Sequence, residues 1–450
     1  MARCFMVRRW GALLLLSAAV ALGGGLAAQA QVLEWTKQLG TASSDGSFGV
    51  SADGLGNVYI SGYTLGSLGG ANAGSEDAFV SKYDMAGALQ WTRQLGTAST
   101  DLSSVISADG LGNVYISGNT EGNLGGANAG SFDAFVSKYD ADGALQWTRQ
   151  LGTASEDESY GVSADGLGNV YISGRTRGSL GGVNAGSEDA FVSKYDTAGA
   201  LQWTRQLGTA GEDGSFGVSA DDLGNVYISG YTEGSLGVPH AGSYDAFVSK
   251  YDASGDFLWT RQLGTASIDG SRGVSADSLG NVYISGNTQG NLGGANAGLG
   301  DAFVSKYDTA GALQWTRQLG TASSDESLSV SADGLGNVYI SGYTSGSLGG
   351  MFSGGFFDAF VSKYDATGAL QWTQQLGTTS SDVSSGISAD GLGNVYISGS
   401  TEGSLGGANA GVVDAFVAKF GIPEPTTATL LAVVLALLSL KRDSIRGCRR

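Results

Sequence analysis

Carboxylates dominate the side chains of this 450-residue chain that could do chemistry. Asp45, Asp101, Asp157, Asp213, Asp269, Asp325 and Asp382 recur at one place in a repeated pattern. With Glu156, Glu158, Glu212 and Glu326 they would suit Ca2+, a hard cation that takes about six to eight oxygen ligands. No DxDxDG loop accompanies them, and Asp beside Ser and Gly commonly forms turns. A carboxylate-based hydrolase or lyase stays open as an alternative, because carboxylates are plentiful and their pairing is invisible in a sequence. His240 is the only histidine, so a Ser-His-Asp triad has one available base, in a variable loop with no nucleophile motif beside it. Histidine-rich metal chemistry is excluded. The expectation is a chain with no catalytic residues, no bound metal and no cofactor. Side chains that break the pattern are better candidates for binding: Arg175 and Arg177, then His240 and Tyr244, then the apolar group Met351, Phe352, Phe356 and Phe357. Exposed aromatic groups often mark contact sites.

The elements that must carry these residues repeat. Trp35, Trp91, Trp147, Trp203, Trp259, Trp315 and Trp372 open successive copies, 56 residues apart five times and 57 once. A fixed period of this size marks a solenoid, propeller or array. Each unit offers four short runs rich in β-branched and aromatic residues, in the first copy SFGVSAD (47–53), NVYISGY (57–63), DAFVSKYD (77–84) and LQWTRQLG (89–96). DGLG and DMAGA are tight hairpin links, whereas TLGSLGGANAGSE is long and Gly-rich. Four antiparallel strands per unit, seven times over, predict an all-β, seven-bladed β-propeller across residues 31–421. The last unit stops before any Trp strand, and the lone strand around Trp35 is the missing piece. Blade seven should therefore join three C-terminal strands to one N-terminal strand, which removes the exposed edges. In such a ring the first strand lines the channel, and the long loops share one face with the interblade loops. That long-loop face is where the copies differ, and loops held by a rigid scaffold usually carry binding. The recurring Asp53 and Asp77 positions read as turn and strand-end hydrogen bonders, and the recurring Trp as interblade core.

The copies of DAFVSKYDxxGxLQWTRQLG and SADGLGNVYISG resemble the seven-bladed propeller repeat family of secreted bacterial proteins, over residues 31–420. That resemblance implies the fold and no defined activity. YDTAGALQW is superficially similar to the tryptophan motif of pyrroloquinoline-quinone propeller enzymes, but its spacing is one residue shorter.

Residues 1–30 read as a signal peptide: Arg3, Arg8 and Arg9, then apolar Leu13 to Leu26, then Ala28-Gln29-Ala30. The segment 422–450 resembles the PEP-CTERM sorting signal, with Pro423-Glu424-Pro425, an apolar run from Ala428 to Leu440 and a basic end. The resemblance implies recognition by an exosortase in the inner membrane of a Gram-negative bacterium. The run is shorter than the roughly 20 residues of a spanning helix, which suits a transient membrane stop. Removal of both ends would leave 16 basic and 40 acidic side chains and no cysteine, since Cys4 and Cys448 lie in the terminal segments. Nucleic acid and anionic membranes are unlike partners for such a surface. The expectation is a secreted or cell-surface scaffold that binds an exopolysaccharide or a surface protein through its long-loop face.

Overall fold

The computed structural model describes residues 32–421 except Asp222. The expected signal peptide and sorting segment lie outside the described residues. No described helix is long and apolar enough to cross a membrane.

The described chain is all β. Its 28 strands form seven four-stranded antiparallel sheets. The first blade is β2 (Asp45–Ala52), β3 (Val58–Thr64), β4 (Asp77–Tyr83) and β5 (Leu89–Leu95). The next five repeat it over 101–151, 157–207, 213–263, 269–319 and 325–376. The seventh is ordered β1 (Val32–Leu39), β28 (Asp414–Gly421), β27 (Val395–Thr401) and β26 (Asp382–Ala389). The expected closure by the Trp35 strand is therefore present. Each first strand begins two residues earlier than its apolar run suggests, because the Asp45 amide already donates to the Val413 carbonyl at 2.8 Å.

The sequence reaches this geometry through a few devices used in every blade. In the turn after the first strand, Asp53 accepts from the Leu55 and Asn57 amides (2.8 and 3.0 Å) and from the Asn57 side chain. Gly56 then takes φ +94°, a left-handed conformation open to glycine without steric cost. Period-two alternation sends the middle-strand residues into the spaces between blades. Val58, Ile60, Phe79 and Tyr83 of blade one, all buried, meet Tyr396, Ala415 and Val417 of blade seven. Each fully buried Val, Ile or Phe among them contributes about 1.5–3 kcal/mol. The tryptophans act in the corresponding seams: between blades one and two, Trp91 packs on Tyr59 at 6.1 Å and donates to the Ala141 carbonyl of blade two. Arg93 beside it donates to the Gly143 and Asp142 carbonyls of that same turn. The tryptophans are thus interblade core, as their repetition suggests.

One irregularity matters for function. Every first strand carries a β-bulge: Ser47 pairs Gly62 and Gly49 pairs Ser61, leaving Phe48 outside the register. A Cβ at Gly62 would lie 1.8 Å from the Gly46 carbonyl oxygen, so only glycine permits this approach.

Candidate functional site

The bulged residues of the first strands line a central cavity of about 640 Å³. They are Phe48, Ser104, Tyr160, Phe216, Arg272, Leu328 and Ser385, a different surface at nearly every blade. The sequence concentrates the differences between copies on the long-loop face. The structure extends them inward: the last residue of each interblade run, from SSDGSF (43–48) to SSDVSS (380–385), lies on the channel wall. The available signal was the strongly varying position directly after the invariant Ser47-type residues, two before the Val/Ile at position 50 and its equivalents.

The recurring loop aspartates do not form an acidic ring. Asp45 is fully buried, and its Oδ2 accepts from the Thr41 amide and hydroxyl at 2.6 and 2.8 Å. Its Oδ1 accepts from Thr64. The same threonine bonds recur at Asp101, Asp157, Asp269, Asp325 and Asp382. At Asp213 only the bonds from Thr209 recur, and its Oδ1 has no partner. These carboxylates fasten the interblade loop, and no cluster of three or more His, Cys, Asp or Glu side chains able to hold a metal ion occurs among the described residues. Burial raises the pKa of Asp101, Asp157, Asp213 and Asp382, against the opposing threonine hydrogen bonds. Asp77 ties down the long loop instead, accepting from the Ala73 amide and from Gln94, whose Oε1 takes the Leu68 amide.

The ligand candidates separate into distinct environments. Arg175 reaches Glu158 at 2.5 Å and Glu188 at 3.2 Å, with its guanidinium 5.6 Å from the Tyr160 ring centre. Arg177 pairs with Glu156 and Glu188 at 2.6 and 2.9 Å. Arg272, which the sequence reading passed over, pairs with Glu326 at 2.9 Å. All three guanidiniums on the long-loop side are thus paired. His240 is half-buried, and its Nε2 lies 3.8 Å from Asp245 Oδ1 with no hydrogen-bond partner. Tyr244 donates to Glu212 at 3.1 Å and meets Tyr231 edge-on at 5.3 Å. The blade-six group divides. Met351 and Phe356 are 88% and 77% exposed, Phe352 is half-buried, and Phe357 packs on Tyr343 at 4.4 Å. The inserted residue of that loop is absorbed at Gly354 and Gly355, both with positive φ.

These contacts join into an asymmetric chain of rings on one side of the channel mouth. Tyr160 meets Phe216 at 5.2 Å, Phe216 meets Tyr231 at 5.5 Å, and the Arg272 guanidinium lies 4.5 Å from the Phe216 ring centre. Beside them, between blades four and five, opens a cleft of about 300 Å³. Seven of the eight residues around it, including Phe216, Tyr231, Arg272 and Asn287, are missing from the sequence-based candidates, which hold only Tyr244 of the cleft. Chemically the surface can stack on flat or apolar ligand faces and offer amide and guanidinium donors.

On the short-turn face the tip of each first hairpin carries an exposed leucine, Leu111 and Leu223 being more than 80% exposed.

The chain is 28% identical over 350 residues to the regulatory protein FlaEY of Caulobacter vibrioides, covering 67% of this chain and 36% of that protein. It is 23% identical over 263 residues to an uncharacterized WD repeat-containing protein, L264, of Acanthamoeba polyphaga mimivirus, covering 45% and 19%. The chain thus spans about a third or less of the length of these relatives. Among solved structures, a protein of unknown function from Dyadobacter fermentans gives a TM-score of 0.46 at 11% identity, covering 88% of this chain and all of that one. A puromycin hydrolase gives 0.44 at 13% identity, covering 80% and 51%. The SBBP beta-propeller repeat matches at 34–69, 90–125, 146–181, 202–237, 258–293, 314–349 and 371–406. With one such match in each of the seven units, more than half of its length in all, the chain belongs to the SBBP beta-propeller repeat family.

Proposed function

We propose that this propeller is an exported, non-catalytic scaffold of the cell surface or extracellular matrix, and that its long-loop face binds a polysaccharide. The observation that carries the reading is where the repeats differ. Strand pairs, turns and interblade packing recur blade after blade, whereas the long-loop face and adjoining channel wall change from one blade to the next. A rigid frame with a varied rim suits recognition.

A non-catalytic role is supported by what the reactive groups do. The carboxylates of Glu158, Glu188, Glu212 and Glu326 are engaged by arginine or tyrosine side chains. No described hydroxyl is hydrogen-bonded to Nε2 of His240. With its arginines paired, the face suits a neutral polymer better than an acidic one. Export is supported by Arg3, Arg8, Arg9 and the small residues at 28–30. Sorting by an exosortase, with brief residence in the inner membrane, is supported by Pro423-Glu424-Pro425 and the apolar run behind it. A second reading, a surface-protein partner, is favoured by the exposed Met351 and Phe356.

The test is binding of the chain to a panel of bacterial exopolysaccharides, with calcium and with chelator. The expected result is saturable binding that survives the chelator and falls when the long loops of blades three, four and six are replaced by that of blade two. Absence of binding, or binding indifferent to those replacements, would overturn the reading.

A further inference from the structure

The cleft between blades four and five exists because of one cross-strand pair. In blade one Gly46 faces Tyr63, and a Cβ on Gly46 would meet the tyrosine ring at 2.5 Å. In blade four Tyr231 covers Gly214 in the same way, at 2.7 Å. In blade five Gly270 faces Asn287 instead, and the nearest atom to its missing side chain is Asn287 Oδ1 at 3.7 Å. The other blades carry a side chain at the Gly270 position, namely Leu102, Glu158, Glu326 and Val383. Glycine with no ring above it leaves the space open, and the neighbouring blade supplies three aromatic side chains to its wall: Phe216, Tyr231 and Tyr244.

We infer that this cleft binds one pyranose ring of a neutral glycan, an assignment that rests on the polysaccharide reading above. Tyr231 and Tyr244 stand nearly perpendicular, at 87°, and form a corner. Their hydroxyls are already spent on Glu188 and Glu212, so what they offer a ligand is ring surface. The C–H face of a sugar suits such a surface, since aromatic walls with a few placed polar groups are the usual make-up of a small-molecule site. The polar groups are present. The Asn287 carboxamide has no hydrogen-bond partner among the described residues, and Arg272 spends only its Nε on Glu326. An amide and a guanidinium can bridge adjacent sugar hydroxyls. The volume of about 300 Å³ lies at the small end of ligand sites, enough for a ring and not for a long oligomer in depth. A cationic ligand is disfavoured, because Arg272 already occupies the face of Phe216.

The sister blades supply variants that the scaffold accepts. Asn287→Tyr restores the residue found over Gly46 and Gly214 and should fill the cleft. Phe216→Ser copies Ser104 and Ser385 and removes one wall. Phe48→Ser makes the same exchange at blade one, outside the cleft. The experiment is calorimetric titration of the full chain and these variants with cellobiose, maltose, lactose and mannobiose, with tetramethylammonium as a cationic comparator. The expected result is saturable binding of at least one disaccharide, weakened about tenfold or more by Asn287→Tyr and by Phe216→Ser and unchanged by Phe48→Ser. Binding of disaccharide or polymer that Asn287→Tyr leaves intact would overturn the cleft and spare the scaffold reading. No binding of any glycan, disaccharide or polymer, would overturn both. Equal weakening by Phe48→Ser would overturn the cleft, and saturation by tetramethylammonium alone would overturn the sugar assignment.

Discussion

Lys419, near the end of the last strand, places its Nζ 2.8 Å from Oε2 of Glu34 on the first. The two strands lie side by side in blade seven, so this ion pair spans the seam where the ring closes on itself. Glu34 is more than a third exposed, and solvent screens the pair; exposed pairs contribute about 0–1 kcal/mol. Closure should therefore depend on strand pairing and on Trp35, which packs on Tyr396 at 6.2 Å, more than on this charge. Glu34→Gln is expected to move the thermal midpoint by less than about 2 °C. Deletion of residues 32–39 is expected to bare the β28 edge and produce oligomers, visible by size-exclusion chromatography.

Asp157 accepts three hydrogen bonds, from the Thr153 amide, the Thr153 hydroxyl and the Thr176 hydroxyl. An asparagine has one acceptor oxygen and places an NH2 against donors. Asp157→Asn should lower stability by about 1–3 kcal/mol in urea unfolding, the cost of leaving buried polar groups unmatched. A change within experimental error would remove the structural role assigned to this aspartate.

The same carboxyls set a pH dependence. Burial holds Asp213 above the ordinary carboxylate range, opposed by the hydrogen bonds from the Thr209 amide and hydroxyl. The folded ring therefore holds this proton more tightly than the unfolded chain does. Its contribution is fully present below the unfolded pKa of about 3.9 and is lost as pH rises through the folded value. The stability difference between wild type and Asp213→Asn should shrink between pH 4 and pH 7, measured by urea unfolding at each pH. A difference that grows over this interval would contradict the burial argument.

Gly174 lies so close to the Glu158 carbonyl oxygen that a Cβ would sit 1.7 Å from it. Gly174→Ala is expected to destabilise the ring by about 3 kcal/mol, because backbone must move to admit one methyl group. Alanine at a glycine with free space around it, Gly110, is the control and should change little.

The architecture was legible because a repeated sequence compares itself. The lone Trp35 strand and the missing final Trp strand determine the closure, and the repeating Asp-x-x-Gly turns mark the hairpins. The channel wall was not legible. Phe48 sits inside an apparently regular strand, and only pairing with a partner that has glycine at 62 reveals the bulge that turns it inward. Arg175 and Arg177 stood out by their rarity, but their pairing with Glu188, thirteen and eleven residues further on, comes from the loop's path. The cleft was hidden for a different reason. It is made by the absence of side chains at Gly270 and the shortness of Asn287, next to rings contributed by a separate blade.

The bulge has one more consequence. Phe48 and its six counterparts stand outside the hydrogen-bonded ladder, so the strands pair the same way whatever occupies those positions. Size and charge can be exchanged there without disturbing a single cross-strand partner. The ring is in this sense a circular dial with one setting per blade, and its bore can be retuned from polar to aromatic while the walls keep their shape.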